Sequence, residues 1–261
     1  MKCKNIIEEL EQRWNSSWAL DWDNVGLLAG REEKEISRIF VALDVTDETL
    51  EQAVRAKADL IVTHHPLIFS PVKRITSGDF IGRRLIRLIQ NDICYYAMHT
   101  NFDVKGMAEL NRKMLQLKDA SVLEVTGTNE EGIEEGIGRI GRLSEKMSLK
   151  ALSEKVKKDF QIPDVRAYGK LEEMMQTVAI CSGSGKSLAG EALKKGADVL
   201  ITGDMDYHSA IDLVAQGLAV IDAGHYGTEY CFISYMSEQL KKMFPEMEII
   251  SAQICHPYQV I

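Results

Sequence analysis

The sequence predicts an α/β protein of two domains, each with a mostly parallel sheet flanked by helices. Short apolar segments of strand length alternate with helical segments of about ten residues, which is the pattern of βαβ units. The chain has 261 residues, enough for one large or two ordinary domains with their own cores, and we favour two. A weak internal duplication relates the two halves of the sequence.

The apolar positions from Ile6 to Trp14 have near-helical spacing and predict an opening helix over residues 4–15, followed by a turn at W-D-N-V-G, 22–26. Further strands are predicted at 38–43, 59–63, 93–98, 177–181, 198–202 and 218–222, and further helices at 47–56, 82–90, 149–160 and 230–243.

The glycine-rich segment 126–141 has little apolar periodicity and predicts a domain boundary near its start. The first domain, 1–125, then carries His64, His65 and Asp103. The second, 126–261, carries His225 and Glu229, and we allow for a C-terminal part that packs back on the first domain.

Composition excludes several classes of protein. Hydrophobic content of 45% and charged content of 27% are ordinary for a globular protein, and no apolar run reaches the length of a membrane span. The N-terminus has acidic residues before any long apolar stretch, which argues against a signal peptide, so we expect a cytoplasmic protein. Five cysteines without a C-x-x-C favour buried thiols over a disulfide framework or a cysteine zinc site. The net charge of −8 disfavours nucleic acid and anionic membranes as partners.

The strongest chemical signal is the pair His64–His65, which ends an apolar strand just before Pro66. Imidazole is a common metal ligand and titrates near neutral pH, so a pair at a strand end suggests a metal or acid–base site. Because proline ends the strand, both rings can turn toward one crevice. The alternative is one buried, hydrogen-bonded histidine and one exposed histidine.

The internal duplication supplies candidate carboxylates. A-D-L-I-V-T at 58–63 matches A-D-V-L-I-T at 197–202, and the next strand in each half ends in a histidine. H-T-N-F-D places His99 four residues before Asp103, and H-Y-G-T-E places His225 four residues before Glu229. Alone, each spacing is weak. Together they predict a site of neutral nitrogen and anionic oxygen donors, which suits Zn²⁺, Mn²⁺, Fe²⁺ or Ni²⁺ better than Mg²⁺ or Ca²⁺.

At these residues the chain resembles the Nif-three-like family, also called GTP cyclohydrolase I type 2 homologues. The resemblance covers nearly the whole chain and includes W-D-N-V-G, T-H-H-P-L-I-F at 63–69, H-T-N-F-D, G-S-G at 183–185, A-D-V-L-I-T-G at 197–203 and G-H-Y-G-T-E at 224–229. It implies two interlinked α/β domains, a dinuclear metal site and, in several members, a toroidal hexamer. At 261 residues the chain resembles the short form without a central insertion.

Carried over by this resemblance, the metal ligands are His64, His65, Asp103, His225 and Glu229, with Glu229 as the bridging carboxylate. The candidate catalytic residues are two other histidines. His99 is either a sixth ligand or a residue behind the ligands, and His208 is a candidate proton shuttle. A purely structural role stays open for both.

Several polar residues beside these histidines keep two interpretations open. Asn101, Asp204 and Asp206 either orient metal-bound imidazoles or cap helices, and capping is favoured for each. The turn C-S-G-S-G-K-S at 181–187 lacks the Walker spacing and is either a tight turn or an anion-binding loop. Trp18 and Trp22 are expected in core or interface packing rather than as a base-stacking platform, and His256 is expected to be structural.

The predicted function is a dinuclear metal-dependent hydrolase that acts on a nucleotide or another phosphorylated small molecule. GTP ring opening is what the resemblance implies. The alternative is a non-enzymatic metal-binding or regulatory interaction protein, so enzyme activity itself stays open. An anionic small molecule is the expected ligand, and a homo-oligomer, a hexamer by resemblance, is the expected assembly.

Overall fold

The chain folds into two compact units in the computed structural model, which describes residues 1–259 and residue 261. Unit 1 comprises Met1–Phe102 and Tyr230–Cys255, and unit 2 comprises Asp103–Glu229 and His256–Ile261. Each unit has one β-sheet. The predicted α/β class, with two sheets flanked by helices, is confirmed.

The strands and helices are numbered along the chain. The strands are β1 (Gly26–Ala29), β2 (Arg38–Ala42), β3 (Leu60–Thr63), β4 (Cys94–Ala97), β5 (Lys118–Thr128), β6 (Glu134–Ser148), β7 (Arg166–Tyr168), β8 (Met174–Ile180), β9 (Val199–Thr202), β10 (Ala219–Asp222) and β11 (Glu248–Ser251). The α-helices are α1 (Cys3–Arg13), α2 (Asp47–Arg55), α3 (Phe80–Gln90), α4 (Thr100–Phe102), α5 (Ala108–Leu115), α6 (Leu149–Asp159), α7 (Ala189–Lys194), α8 (Tyr207–Ala215), α9 (His225–Glu229) and α10 (Cys231–Met243). A π-helical turn spans Asp103–Met107, and 3₁₀ turns span Ser16–Trp18 and Gly185–Leu188.

The sheet of unit 1 has the strand order β1-β4-β3-β2-β11. Only β1 is antiparallel to its neighbour, so this sheet is mostly parallel, as predicted. Ala42 pairs with Thr63, and Thr63 pairs with Ala97, so β2, β3 and β4 end in register at one edge. Residues that follow these three strands therefore emerge side by side.

The sheet of unit 2 has the order β5-β6-β8-β9-β10-β7. Only its centre, β8-β9-β10, is parallel, and the pairings on both sides are antiparallel. Along the chain, β8-α7-β9-α8-β10 repeats the pattern β2-α2-β3-α3-β4 of unit 1. This is the structural counterpart of the duplication in the sequence.

The division of the chain differs from the predicted boundary at 125/126, because the glycine-rich segment is not a linker. β5 and β6 form a long antiparallel pair, and the predicted boundary falls inside β5. A Cβ at Gly136 would collide with the carbonyl oxygen of Glu124, so this glycine serves close strand approach. Asp103 belongs to unit 2, and Tyr230–Cys255 belongs to unit 1.

Each unit has its own apolar core. Phe40, Ile61 and Tyr95 are buried at the centre of unit 1, and Leu123, Leu200 and Val220 are buried in unit 2. Among the helices of the described residues, none is both long and apolar enough to cross a bilayer.

Candidate metal centre

Unit 1 brings together His64, His65 and His99. Their candidate ligand nitrogens all lie within 4.8 Å of one another. The ring centroid of His64 lies 4.9 Å from that of His65 and 5.4 Å from that of His99. His64 is fully buried, whereas the other two rings are partly exposed. Three imidazoles at this spacing can hold a metal ion.

The register of the parallel strands places these histidines. His64 and His65 follow β3 directly, and His99 follows β4 by two residues. Backbone hydrogen bonds from His65 to the Leu43 carbonyl, 3.0 Å, and from Met98 to the Thr63 carbonyl, 2.9 Å, continue the pairing past the strand ends. β3 ends at Thr63, so the side chains of His64 and His65 need not point to opposite faces of the sheet, as neighbours within a strand do.

The buried Tyr95 hydroxyl holds the loop that carries His65. It donates to the His65 carbonyl at 2.9 Å and accepts from the Leu67 amide at 2.8 Å. It also lies 2.9 Å from the Thr63 hydroxyl. Burial raises the pKa of Tyr95, so the phenol keeps its proton at neutral pH. The loop after β3 is therefore fixed by interior hydrogen bonds.

Each of the three rings has its Nδ1 atom bonded to an oxygen. The Nδ1 atom of His64 lies 3.0 Å from the Met98 carbonyl, that of His65 lies 2.8 Å from Asp44 Oδ1, and that of His99 lies 2.8 Å from Asp23 Oδ1. Carbonyl and carboxylate oxygens accept, so Nδ1 donates in each case. In the neutral ring the lone pair is then on Nε2, as in the carboxylate–histidine–metal arrangement.

Asp23 is the most strongly held of these acceptors. Its side chain is buried, and it accepts from the Thr100 amide at 2.9 Å and from the Thr100 hydroxyl at 2.5 Å. Burial alone would raise the pKa of Asp23, but the hydrogen bonds from His99 and Thr100 outweigh it and lower the pKa to about 2. Asp23 is therefore a carboxylate at neutral pH, and it fixes the orientation of His99.

Unit 2 brings His225 and Glu229 together on the short helix α9. The Nε2 atom of His225 lies 3.1 Å from Glu229 Oε2, and its Nδ1 atom lies 2.7 Å from Asp204 Oδ2. The spacing of four residues puts both side chains on one face of the helix. His225 thus has the same arrangement as the three histidines of unit 1, with Nδ1 on an oxygen and Nε2 directed to the candidate site.

Gly183 lies directly behind this pair. A Cβ at residue 183 would be 3.2 Å from Nε2 of His225 and would collide with Oε1 of Glu229. The residue also has a positive φ of 61°, and its amide donates to the Thr228 hydroxyl at 2.9 Å. The first position of the G-S-G turn therefore requires glycine for steric reasons, whether or not the turn binds an anion.

Asp103 and Glu229 both act on one buried thiol of unit 2. Burial raises the pKa of Cys181, and the negative charges of Asp103 and Glu229 raise it further. The two carboxylates are thus close enough to the same sulfur to interact with it electrostatically. Asp103 opens the π-helical turn, a rare conformation that often occurs at functional sites.

The remaining candidate residues have different positions. His208 lies on the exposed first turn of α8 beside the ring of Tyr207, and its role as a proton shuttle stays a prediction. Asp206 caps α8 by accepting from the Ser209 amide, as the capping interpretation predicted. Asp204 instead accepts from the His225 ring and orients it, and the binding of a metal by that ring stays a prediction. Asn101 accepts from the His99 amide at 3.0 Å and thereby holds its backbone.

Sequence reasoning missed Asp44 and Asp23. Asp44 lies beyond the end of β2, at the same sheet edge as His65, and Asp23 is part of the quoted W-D-N-V-G segment. For Asp44, the available signal was the rule that polar residues after neighbouring parallel strands meet at one edge. Trp22 was expected in core or interface packing; its exposed side chain is not part of the core, and the interface role stays a prediction.

Comparison with known proteins identifies the family. The sequence profile of Duf34/NIF3, NGG1p interacting factor 3, matches residues 1–257. The chain belongs to the Duf34/NIF3 family. A relative from Clostridium perfringens named "GTP cyclohydrolase 1 type 2 homolog" is 36% identical over 264 residues, covering 100% of both chains. The predicted resemblance is therefore confirmed.

The fold comparison agrees with membership of the Duf34/NIF3 family. A crystal structure described as a Bacillus cereus protein related to NIF3 superposes with a TM-score of 0.94 at 26% identity, covering 100% of this chain and 99% of the other. A second relative, from Clostridium acetobutylicum and with the same name as the C. perfringens protein, is 36% identical over an alignment of 252 residues and covers 95% of this chain and 93% of its own.

Proposed function

We propose that this protein binds two divalent metal ions through His64, His65, Asp103, His225 and Glu229 and uses them for hydrolysis of a nucleotide or another phosphorylated small molecule. One observation carries the proposal. Every imidazole in this set has Nδ1 bonded to an oxygen, which leaves Nε2 as the donor for a metal ion.

The donor set is chemically suited to a transition metal. Imidazole nitrogen with carboxylate oxygen favours Zn²⁺, Mn²⁺, Fe²⁺ or Ni²⁺ over Mg²⁺ and Ca²⁺. Asp44 and Asp204 make the His65 and His225 rings stronger donors, because an oxygen acceptor on Nδ1 raises the basicity of Nε2. This supports metal binding over a role of these histidines in packing alone.

A pair of divalent ions would acidify water toward neutrality and stabilise negative charge on the attacked group and the leaving oxygen. The protein residues would hold the centre and orient the ligands. Two ions with five ligands have a formal charge of about +2, but Asp23, Asp44 and Asp204 lower the total to about −1. An anionic ligand would therefore be held by direct contact with the ions, with little long-range attraction.

We assign His99 to the centre, as a sixth ligand or as a residue just behind the ligands. Its nitrogen lies within 4.8 Å of the candidate nitrogens of His64 and His65, and Asp23 fixes its ring. We retain His208 as the candidate proton shuttle, since its exposed imidazole can exchange protons with water.

Metal analysis tests the centre. Wild-type protein should contain two transition-metal ions per chain, measured by plasma mass spectrometry after purification without chelators. His65→Ala and Glu229→Gln should each contain fewer, whereas His208→Ala, a matched histidine control on α8, should contain two. One ion per chain in the wild type, or full occupancy in both ligand variants, would contradict the dinuclear site.

Turnover tests the hydrolase. The names of the curated relatives make GTP the first substrate to assay, followed by other nucleotides and phosphoesters, with product formation measured by chromatography. We expect metal-dependent turnover that His65→Ala abolishes and His208→Ala reduces through kcat. A fully metal-loaded protein without turnover across this panel would favour the alternative, a non-enzymatic metal-binding or regulatory protein.

We also propose that the protein is cytoplasmic and forms a homo-oligomer, with a hexamer as the first expectation from the family resemblance. Light scattering coupled to size-exclusion chromatography should give a mass near six chains. A monomer across the working concentration range would refute the assembly without affecting the metal centre.

A further inference from the structure

Two exposed aromatic rings flank the histidine cluster of unit 1. Trp22 is 57% exposed and Phe69 is 56% exposed, although both are large apolar side chains. Their ring centroids are 5.7 Å apart, with the planes inclined at 48°. Both rings also contact His99, with centroid distances of 5.8 Å from Trp22 and 6.4 Å from Phe69. We call this pair the aromatic rim.

The aromatic rim is held by hydrogen bonds of the residues next to its two rings, and one of these residues also orients His99. Trp22 directly precedes Asp23, whose buried carboxylate binds His99 and Thr100. Phe69 directly follows Ile68, whose carbonyl accepts from the Asn24 side chain at 2.5 Å. The two loops are therefore joined to each other, and the backbone of each ring is fixed. Such preorganisation lowers the entropic cost of binding a ligand.

Packing does not account for these rings. Single exposed apolar residues are common on protein surfaces. Two adjacent exposed aromatic rings beside a cluster of three histidines form a patch, which this general occurrence of single exposed residues does not explain. Trp14 of the same unit has the expected packing role, since it is 4% exposed and contacts Phe102. Trp22 and Phe69 thus lie outside the core of the unit, at the edge of the histidine cluster.

We propose that the aromatic rim is a stacking subsite for the planar heteroaromatic ring of a small-molecule ligand, such as a nucleobase, whose phosphate or other polar group reaches the adjacent metal centre. The proposal deepens the proposed function and rests on it for the polar end of the ligand. Stacking uses the π-face that every nucleobase has, so the subsite accepts purines and pyrimidines with little discrimination. It selects for a ring, and the metal centre selects for an anion.

Binding of three probes to the metal-loaded full-length protein tests the subsite. Guanosine 5′-monophosphate and uridine 5′-monophosphate carry a ring and a phosphate, whereas ribose 5-phosphate carries only the phosphate and sugar. By calorimetry, we expect the two nucleotides to bind at least about tenfold more tightly than ribose 5-phosphate. Both nucleotides should also quench tryptophan fluorescence, and Trp22→Leu should remove this quenching.

Variants separate the subsite from the metal centre. Trp22→Leu and Phe69→Leu should each weaken nucleotide binding about tenfold, which corresponds to about 1.4 kcal/mol, and leave ribose 5-phosphate binding and metal content unchanged. Phe80→Leu is the matched control, because Phe80 is 52% exposed in the same unit and its ring packs against the Arg84 guanidinium, 5.0 Å from the ring centroid. It should leave all three affinities unchanged.

The outcomes distinguish this proposal from the proposed hydrolysis. Nucleotide binding that depends on Trp22, without turnover, would support the subsite and refute the hydrolase. Equal affinities for nucleotides and ribose 5-phosphate would overturn the subsite, even if turnover occurred. Unchanged nucleotide affinity in Trp22→Leu together with a smaller assembly by light scattering would also overturn it and would assign the aromatic rim to contacts between copies of the chain.

Discussion

Replacement of Gly183 by alanine tests whether the Glu229 carboxylate is a metal ligand. The new Cβ would be 3.2 Å from Nε2 of His225. It would also lie about 1 Å inside the ordinary contact limit of 3.4 Å from Glu229 Oε1, about five times the ±0.2 Å tolerance of metal–ligand distances. The carboxylate must therefore move out of a position that could serve a metal ion.

We expect Gly183→Ala to weaken binding of the metal held by Glu229 at least about 100-fold, above the 10- to 100-fold typical of changes behind a ligand. Calorimetric titration of the metal-free protein with Zn²⁺ or Mn²⁺ measures this. The positive φ of 61° adds a backbone cost of about 1–2 kcal/mol to the free energy of unfolding, measured in urea.

Gly196→Ala is the matched control. Gly196 has a similar φ of 71°, and a Cβ there would meet nothing within 4 Å, so the variant carries the backbone cost alone. We expect it to lose the same stability and to bind metal as the wild type does. If Gly183→Ala binds both ions with wild-type affinity while losing as much stability as Gly196→Ala, Glu229 is not a ligand and the reasoning is refuted.

Three further substitutions test the supports of the site and the fold. Asp44→Asn should weaken metal binding about 10- to 100-fold in the same titration, because a neutral amide replaces the charged carboxylate that accepts from His65 Nδ1. Tyr95→Phe should lower the free energy of unfolding by about 1–3 kcal/mol in urea, since it leaves the Leu67 amide without its acceptor. Burial raises the pKa of Asp59, but hydrogen bonds from the chain at residues 37–38 lower it overall below its ordinary 3.8. Its stabilising effect is therefore present above pH 3.8 and lost as the pH falls through the lower folded-state pKa. In Asp59→Asn, the free energy of unfolding should therefore fall less steeply with decreasing pH in this acid range than in the wild type.

Controls for these substitutions come from exposed residues of the same type. Asp212→Asn should leave metal affinity unchanged, and Tyr207→Phe should leave the free energy of unfolding unchanged. A Tyr95→Phe variant as stable as the wild type would show that the loop after β3 is not held by that hydroxyl. The same dependence of the free energy of unfolding on acid pH in wild type and Asp59→Asn would contradict the direction of the Asp59 pKa shift.

The parallel strands of both units were predictable because their sequence signal is local. β2, β3 and β4 are continuous apolar runs, and β8, β9 and β10 repeat them. The pair β5–β6 was missed, since the glycines that permit its close strand approach also have the composition of a linker. For the same reason, the division of the chain into units differs from the predicted boundary at 125/126.

The sequence by itself determined the family, the alternation of strands and helices, and the histidines and carboxylates that follow strand ends, because each of these is encoded by neighbours along the chain. Only the tertiary structure decided which oxygen orients each ring. Asp44 and His65 are 21 residues apart, and Asp23 and His99 are 76 apart. The parallel order of the strands brings such partners together, and the local periodicity of the sequence does not encode that order.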